Sequence, residues 1–197
     1  TVDRAAASVL NAVETVNLVA GASDILTTDG TILDALTAQY SNTLNISGAN
    51  SVTITTVELA DPAGAATATI DASQMTKDLT LATGFKTTAG DTMTIKLGSG
   101  KNSVDFGTEA LSADVVTGST GTDTVKIKEA AASIEPTITG VDNVELTGAG
   151  ASKTISSKKM TDVGVIKIKD AAANDNGSDN IKVTNVAAGQ KVEIYSD

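Results

Sequence analysis

Gly121-Thr122-Asp123-Thr124-Val125-Lys126-Ile127-Lys128 decides how this chain is read. It opens on a glycine and an acidic turn residue, then alternates apolar and polar side chains. A period of two puts Val125 and Ile127 on one face of a strand and Lys126 and Lys128 on the other. The phrasing recurs in Val52-Thr53-Ile54, Leu79-Thr80-Leu81, Met93-Thr94-Ile95-Lys96-Leu97, Ile166-Lys167-Ile168-Lys169 and Ile181-Lys182-Val183. Each reads as a half-buried strand with Thr or Lys outside, and clusters of Gly, Asn, Asp and Ser between them read as turns. Pro62 and Pro136 fall in such connections, where a missing N–H breaks no ladder. Two stretches carry helical features: Arg4 to Val13, rich in Ala, and Gly30 to Tyr40, with Ile32, Leu33, Leu36 and Tyr40 at helical spacing. The reading predicts an all-β, elongated repeat architecture, a β-solenoid or stacked small sheets, with at most one or two short helices.

Composition removes whole classes of chemistry. The 197 residues include no Cys, His or Trp and carry a formal charge of -10. There is accordingly no thiol nucleophile, no Cys/His zinc site and no imidazole acid/base, and any metal must be held by oxygen, which favours calcium over magnesium. Hydrophobic residues make up 41% and aromatics 2%, so a core exists but is filled by aliphatic side chains and Thr methyls, which suits layered β structure. A pI near 4.4 argues against nucleic-acid partners. No apolar run reaches 18 residues, so no membrane span is expected. The chain starts at Thr1 without a signal-peptide pattern, and the expectation is a segment of a larger surface protein.

A short string recurs at Val16-Asn17-Leu18, Val57-Glu58-Leu59, Val104-Asp105-Phe106 and Val144-Glu145-Leu146, separated by 41, 47 and 40 residues. The second and fourth copies extend further. Thr69-Ile70, Met75-Thr76 and Gly90 to Lys96 follow one, and Thr154-Ile155, Met160-Thr161 and Gly177 to Val183 follow the other, at offsets of 85 to 87 residues. This predicts one repeat-containing segment over 1–197 with related units near 57–96 and 144–183, stacked on a continuous core.

The strand entrances share a second pattern: Gly, any residue, Asp or Asn, any residue, then a β-branched residue. Its five copies centre on Asn50, Asn102, Asp123, Asp142 and Asp179, with glycines 19 to 52 residues apart. One reading is conformational: Gly supplies positive φ and the Asx side chain caps its own turn. The other is what a resemblance to the calcium-binding nonapeptide repeat of RTX proteins implies, metal ligation, with Asp123 and Asp179 the foremost candidates, Asp175 an added carboxylate, and Asp142, Asn102 and Asn50 behind them. The window Gly118 to Val125 resembles the calcium-binding nonapeptide repeat of RTX proteins, with the second Gly replaced. Gly121 to Ile127 followed by Ile138 to Leu146 resembles the strand-turn phrasing of RTX-type surface-layer (S-layer) proteins of Gram-negative bacteria. That resemblance implies an extracellular lattice protein at the cell surface, secreted by a type I system, crystallising with Ca²⁺, touching copies of itself and reaching lipopolysaccharide through another region. The copies here are not tandem, which leaves the number of calcium sites open.

Other constellations are weaker. Asp and Glu are scattered, and sugar-stacking aromatics are nearly absent, so no glycosidase pair is expected and the chain is read as non-enzymatic. Arg4 and three Lys lie in the first hundred residues and ten Lys follow, mostly alternating with apolar residues. They read either as solvated strand faces or as a contact to lipopolysaccharide phosphate or a neighbouring subunit. The expected function is a structural component of a self-assembling, calcium-stabilised surface layer. The alternative is a stalk or ligand-binding module of an RTX-secreted adhesin.

Overall fold

Alternating apolar side chains need a partner layer for their inner face, and this chain finds it by winding on itself. The computed structural model describes residues 8–9, 15–20, 31–33, 36–38, 43–54, 57–59, 67–82, 92–128, 133–148, 153–169 and 181–195. Three coils each contribute three strands: β1 (Ser8–Val9), β2 (Thr15–Ala20) and β3 (Thr31–Leu33); β4 (Leu36–Ala38), β5 (Thr43–Gly48) and β6 (Val52–Ile54); β7 (Val57–Leu59), β8 (Thr67–Met75) and β9 (Leu79–Leu81). Two coils follow with strands described on two faces: β10 (Thr92–Lys96) and β11 (Asn102–Asp105), then β12 (Val115–Thr117) and β13 (Asp123–Lys128). The last are β14 (Ser133–Ile134), β15 (Thr137–Thr139) and β16 (Asn143–Thr147); β17 (Lys153–Ser156), β18 (Met160–Thr161) and β19 (Val165–Lys169); β20 (Ile181–Thr184) and β21 (Lys191–Tyr195).

Each strand pairs with its counterpart one coil away, and every pairing is parallel. A seven-stranded sheet runs from β2 to β18 and an eight-stranded sheet from β3 to β21, while β1-β4-β7 and β14-β17-β20 form three-stranded sheets. Parallel neighbours need a long crossover, and here the crossover is the rest of the coil. The fold is therefore a β-solenoid, which settles the choice between solenoid and stacked small sheets. Among the described residues there is no helix. The two stretches with helical features, Arg4 to Val13 and Gly30 to Tyr40, are strand where they are described, as β1, β3 and β4, because pairing with the next coil outweighs a weak local helical spacing.

The register makes the core a set of aliphatic rows. On the seven-stranded sheet Val16, Leu44, Ile70, Ile95, Val116, Ile138 and Met160 stack in one row. On the eight-stranded sheet Ile54, Leu81, Val104, Val125, Val144 and Ile166 stack in another, all six fully buried. Burying each such side chain is worth about 1.5–3 kcal/mol, so the rows supply most of the cohesion. Residues paired across coils are 19 apart for Thr124 with Asn143 and 28 apart for Thr15 with Thr43, and other offsets fall between. At the longer spacing of 85 to 87 residues some partners fall in different sheets and others in the same one. Val57-Glu58-Leu59 lies in β7 and Val144-Glu145-Leu146 in β16, which belong to different sheets. Met75 and Met160 are both buried on the seven-stranded sheet, Met75 opposite Gly48 and Met160 opposite Ile138.

The outer face of the eight-stranded sheet carries a row the sequence does not display. Register aligns Asp105, Lys126, Glu145, Lys167 and Glu193, alternating in sign over five coils. Lys169 Nζ also lies 3.5 Å from Glu145 Oε2, and on the seven-stranded sheet Lys96 Nζ lies 3.0 Å from Asp71 Oδ2, its partner in register. Lys126 thus stands between two carboxylates, and each such cross-strand pair is worth about 0.2–1 kcal/mol. Lys126→Glu should cost about 1 kcal/mol in denaturant unfolding at low salt, and the loss should shrink in 1 M salt, where screening acts within about 3 Å. A loss indifferent to salt would show that the row is not electrostatic.

Candidate functional site: the ladder at the strand entrances

Four of the six candidate residues are described, and three of them stand in one column. Asn102 and Asp123 are the first residues of β11 and β13 and pair in register, and Asp142 directly precedes β16. Asn50 sits in the turn before β6, two coils away from Asn102. Asp175 and Asp179 lie outside the described residues. Asp78, which precedes β9 and lacks the glycine pattern, joins the column and was missed for that reason.

Within the column, side chains bridge coils. Leu79 N donates to Asn102 Oδ1 at 3.0 Å, Lys101 N donates to Asp78 Oδ1 at 2.8 Å, and Asp123 N donates to Asp142 Oδ2 at 2.8 Å. Asn102 Nδ2 lies 2.7 Å from Gly98 O, 3.0 Å from Gly100 O and 2.7 Å from Asp123 Oδ1, three acceptors around two protons. Asp123 Oδ2 accepts from Ser119 N at 2.7 Å. Asn102 and Asp123 are both buried, so these bonds replace water that neither group can reach. The Asx side chain therefore ties its coil to the next and does more than cap its own turn.

The glycines have a matching cause. Gly48 and Gly140 take positive φ, +126° and +67°, but Gly100 and Gly121 do not. At Gly121 a Cβ would overlap the Gly100 carbonyl, and at Gly100 it would overlap the backbone of Lys77. Glycine is required there because successive turns stack backbone on backbone.

Burial pushes the Asp123 carboxyl above the ordinary aspartate range, with nearby Asp142 adding to it, while the bonds from Ser119 and Asn102 act in the opposite sense. A raised pKa in the folded state means that the ionised form costs stability at neutral pH, and the cost is relieved as pH falls through the raised value. Asp71 moves the other way: burial would raise it, but Ser73 and Lys96 hold it below its usual value, and its contribution fades on acidification.

The opposite corner repeats the device. Asp114, buried before β12, accepts from Met93 N at 2.8 Å and Leu111 N at 2.7 Å. No glycine pattern precedes it, and the only sequence signal is an acidic residue at a strand entrance.

The donors of a calcium site can be compared with this column. The oxygens of Gly98, Gly100 and Asp123 converge on an amide nitrogen, Asn102 Nδ2, and both Asp123 oxygens already accept N–H donors. Their hydrogen-bond spacing is wider than the roughly 2.3–2.6 Å of calcium–oxygen bonds, so ligation by Asp123 requires displacing Asn102. Among the described residues no three acidic side chains gather at one point. Nor is any helix long and apolar enough to cross a membrane among them.

Two variants test the ladder in chelator, where metal plays no part. Asp123→Ala leaves Ser119 N without its partner and should cost about 2–4 kcal/mol in thermal or denaturant unfolding. Gly121→Ala should be at least as damaging, since a carbonyl occupies the space of its Cβ. Near-native melting of both would mean that the turns can separate without loss.

Comparison of the chain with protein-family models, curated proteins and solved structures finds no match, so the site is interpreted from its geometry alone.

Proposed function

We propose that this chain is a structural, non-catalytic segment of a self-assembling layer on the outside of a bacterial cell, stabilised by calcium. The observation that carries the proposal is the use made of polar groups. The buried polar side chains Asn102, Asp114 and Asp123 bond from coil to coil or within their own turns, so they hold adjacent coils together and leave no polar group aimed at a substrate. The RTX-type surface-layer resemblance of the strand-turn phrasing supplies the setting: an extracellular lattice of identical copies, with lipopolysaccharide reached through another region. Calcium acts through carboxylates, with Asp123 in the ladder and Asp179 foremost, and with Asp175, near Asp179 in the sequence, an added ligand; Asp175 and Asp179 lie outside the described residues. At a net charge of -10 these carboxylates repel one another, and a divalent cation reverses that repulsion.

A second reading, an adhesin stalk or ligand-binding module, draws on a shallow depression of about 300 Å³ on the eight-stranded sheet. Asp105, Lys126, Lys128, Glu145 and Lys169 line it, a charged surface suited to a polar ligand.

Melting in calcium, in magnesium and in chelator at matched ionic strength tests the calcium component. Binding to the folded state alone adds about 2.7 kcal/mol at a hundredfold excess over Kd, a rise of several degrees. Calcium should give that rise and magnesium should not, and Asp175→Ala with Asp179→Ala should abolish it. Equal melting in all three would remove calcium from the proposal. Two-dimensional arrays in electron microscopy are expected for a layer protein, whereas a monomer that captures a sugar or protein ligand would favour the adhesin.

A further inference from the structure

Of the column residues Asp78, Asn102, Asp123 and Asp142, which all bond to a neighbouring coil, Asn102 alone brings side-chain N–H groups to the contact. It also stands at the enclosed part of the column. Asp78 and Asp142 are exposed, whereas Asn102 and Asp123 are 1% and 0% exposed.

Around Asn102 Nδ2 the turn closes a cage of oxygens: Gly98 O at 2.7 Å, Gly100 O at 3.0 Å and Asp123 Oδ1 at 2.7 Å. Stacking fixes the two carbonyls, since a Cβ at Gly98 would overlap Met75 O and one at Gly100 the Lys77 carbonyl. The amide cannot be turned round, because its Oδ1 accepts from Leu79 N at 3.0 Å. Reversed, it would set its own N–H groups against that N–H and an oxygen against the cage. Backbone carbonyls and a carboxylate that close on one point are the donor types of a calcium ion. At this rung the point is filled by a neutral amide, which supplies two protons where an ion would supply two charges.

Aspartate at position 102 would have nearly the same shape and keep the bond from Leu79 N. It would, however, replace the donors by a second carboxylate oxygen facing three acceptors. Two carboxylates that close together cannot both ionise without a cation between them. Ligands of one calcium ion, bonded at about 2.3–2.6 Å, stand about 3 Å from one another. The three oxygens lie at that spacing from the position of Nδ2.

We propose that Asn102 sets the metal dependence of this rung: its amide occupies the place of the cation and closes the rung without metal, and aspartate there turns the same cage into a calcium site. Calcium acting at Asp123 has to displace the amide, so the rung as it stands takes the ion weakly. This role belongs to one rung, goes beyond the calcium reading and holds whatever Asp175 and Asp179 bind.

Melting in chelator, in calcium and in magnesium at matched ionic strength tests it, with Asp175→Ala and Asp179→Ala present in every chain to remove the foremost candidate ligands outside the ladder. The parent should melt alike in all three solutions. Asn102→Asp should melt about 10 °C lower or more in chelator and in magnesium, and recover most of the loss in calcium. Magnesium restores little because it demands near-octahedral bonds of about 2.0–2.1 Å and gives up its water reluctantly. Adding Asp123→Asn to Asn102→Asp puts an amide back between the coils and should remove the calcium dependence. Should Asn102→Asp fail to fold in chelator, its refolding on dialysis into calcium reads the same recovery. An Asn102→Asp chain as stable as the parent in chelator, equally weakened in all three solutions, or restored as well by magnesium would overturn the proposal. So would a calcium rise in the parent that Asp123→Ala abolishes, since the ion would then displace the amide readily. Failure of the calcium reading looks different: with Asp175 and Asp179 intact and Asn102 unchanged, the absence of any rise in calcium removes that reading and leaves the role of Asn102 in place.

Discussion

Parallel, in-register stacking of one coil on the next is the constraint from which the rest of this structure follows. Once each strand is hydrogen-bonded to its counterpart a coil away, every position belongs to a row, and a residue must suit the residues above and below it before anything else. Aliphatic rows satisfy this inside. Outside, the same rule appears as like paired with like where both can share a hydrogen bond: Asn45 Nδ2 donates to Asn17 Oδ1 at 2.9 Å, and hydroxyl pairs Thr67–Thr92 and Thr139–Thr161 lie at 2.9 and 3.0 Å. Where side chains are charged, the row alternates in sign, because like charges directly opposed are destabilising.

Corners are where this scheme is under most strain. The chain must leave one face and enter the next, and at some entrances the N–H groups, those of Leu79, Met93 and Asp123, meet a side-chain oxygen of the neighbouring coil in place of a backbone carbonyl. Asx side chains fill that gap at both corners, Asn102, Asp123 and Asp142 on one and Asp114 on the other. The arrangement accepts the cost of a buried carboxylate at Asp123 in exchange for a donor-rich surrounding. Glycine at Gly100 and Gly121 belongs to the same solution, since the turns touch through their backbones.

Strand content, inward and outward faces and the acidic entrances were legible in the sequence because they are local properties: alternation at period two acts within five or six residues, and Gly-x-Asp is a turn wherever it occurs. The helical spacing of Ile32, Leu33 and Leu36 misled for the opposite reason, since partners one coil away decide that segment. The repeated Val-x-Leu phrase marked strands correctly without marking a face, because every face of the solenoid asks for the same apolar-polar-apolar pattern. Only the tertiary structure decided that Asn102 and Asp123 share a column, that Asp78 and Asp114 serve the same purpose without the motif, and that Asp105, Lys126, Glu145, Lys167 and Glu193 form one alternating row. Those relations depend on coil lengths that vary from 19 to 28 residues, and a row becomes visible only when the hydrogen-bond register says which residue of one coil lies over which of the next.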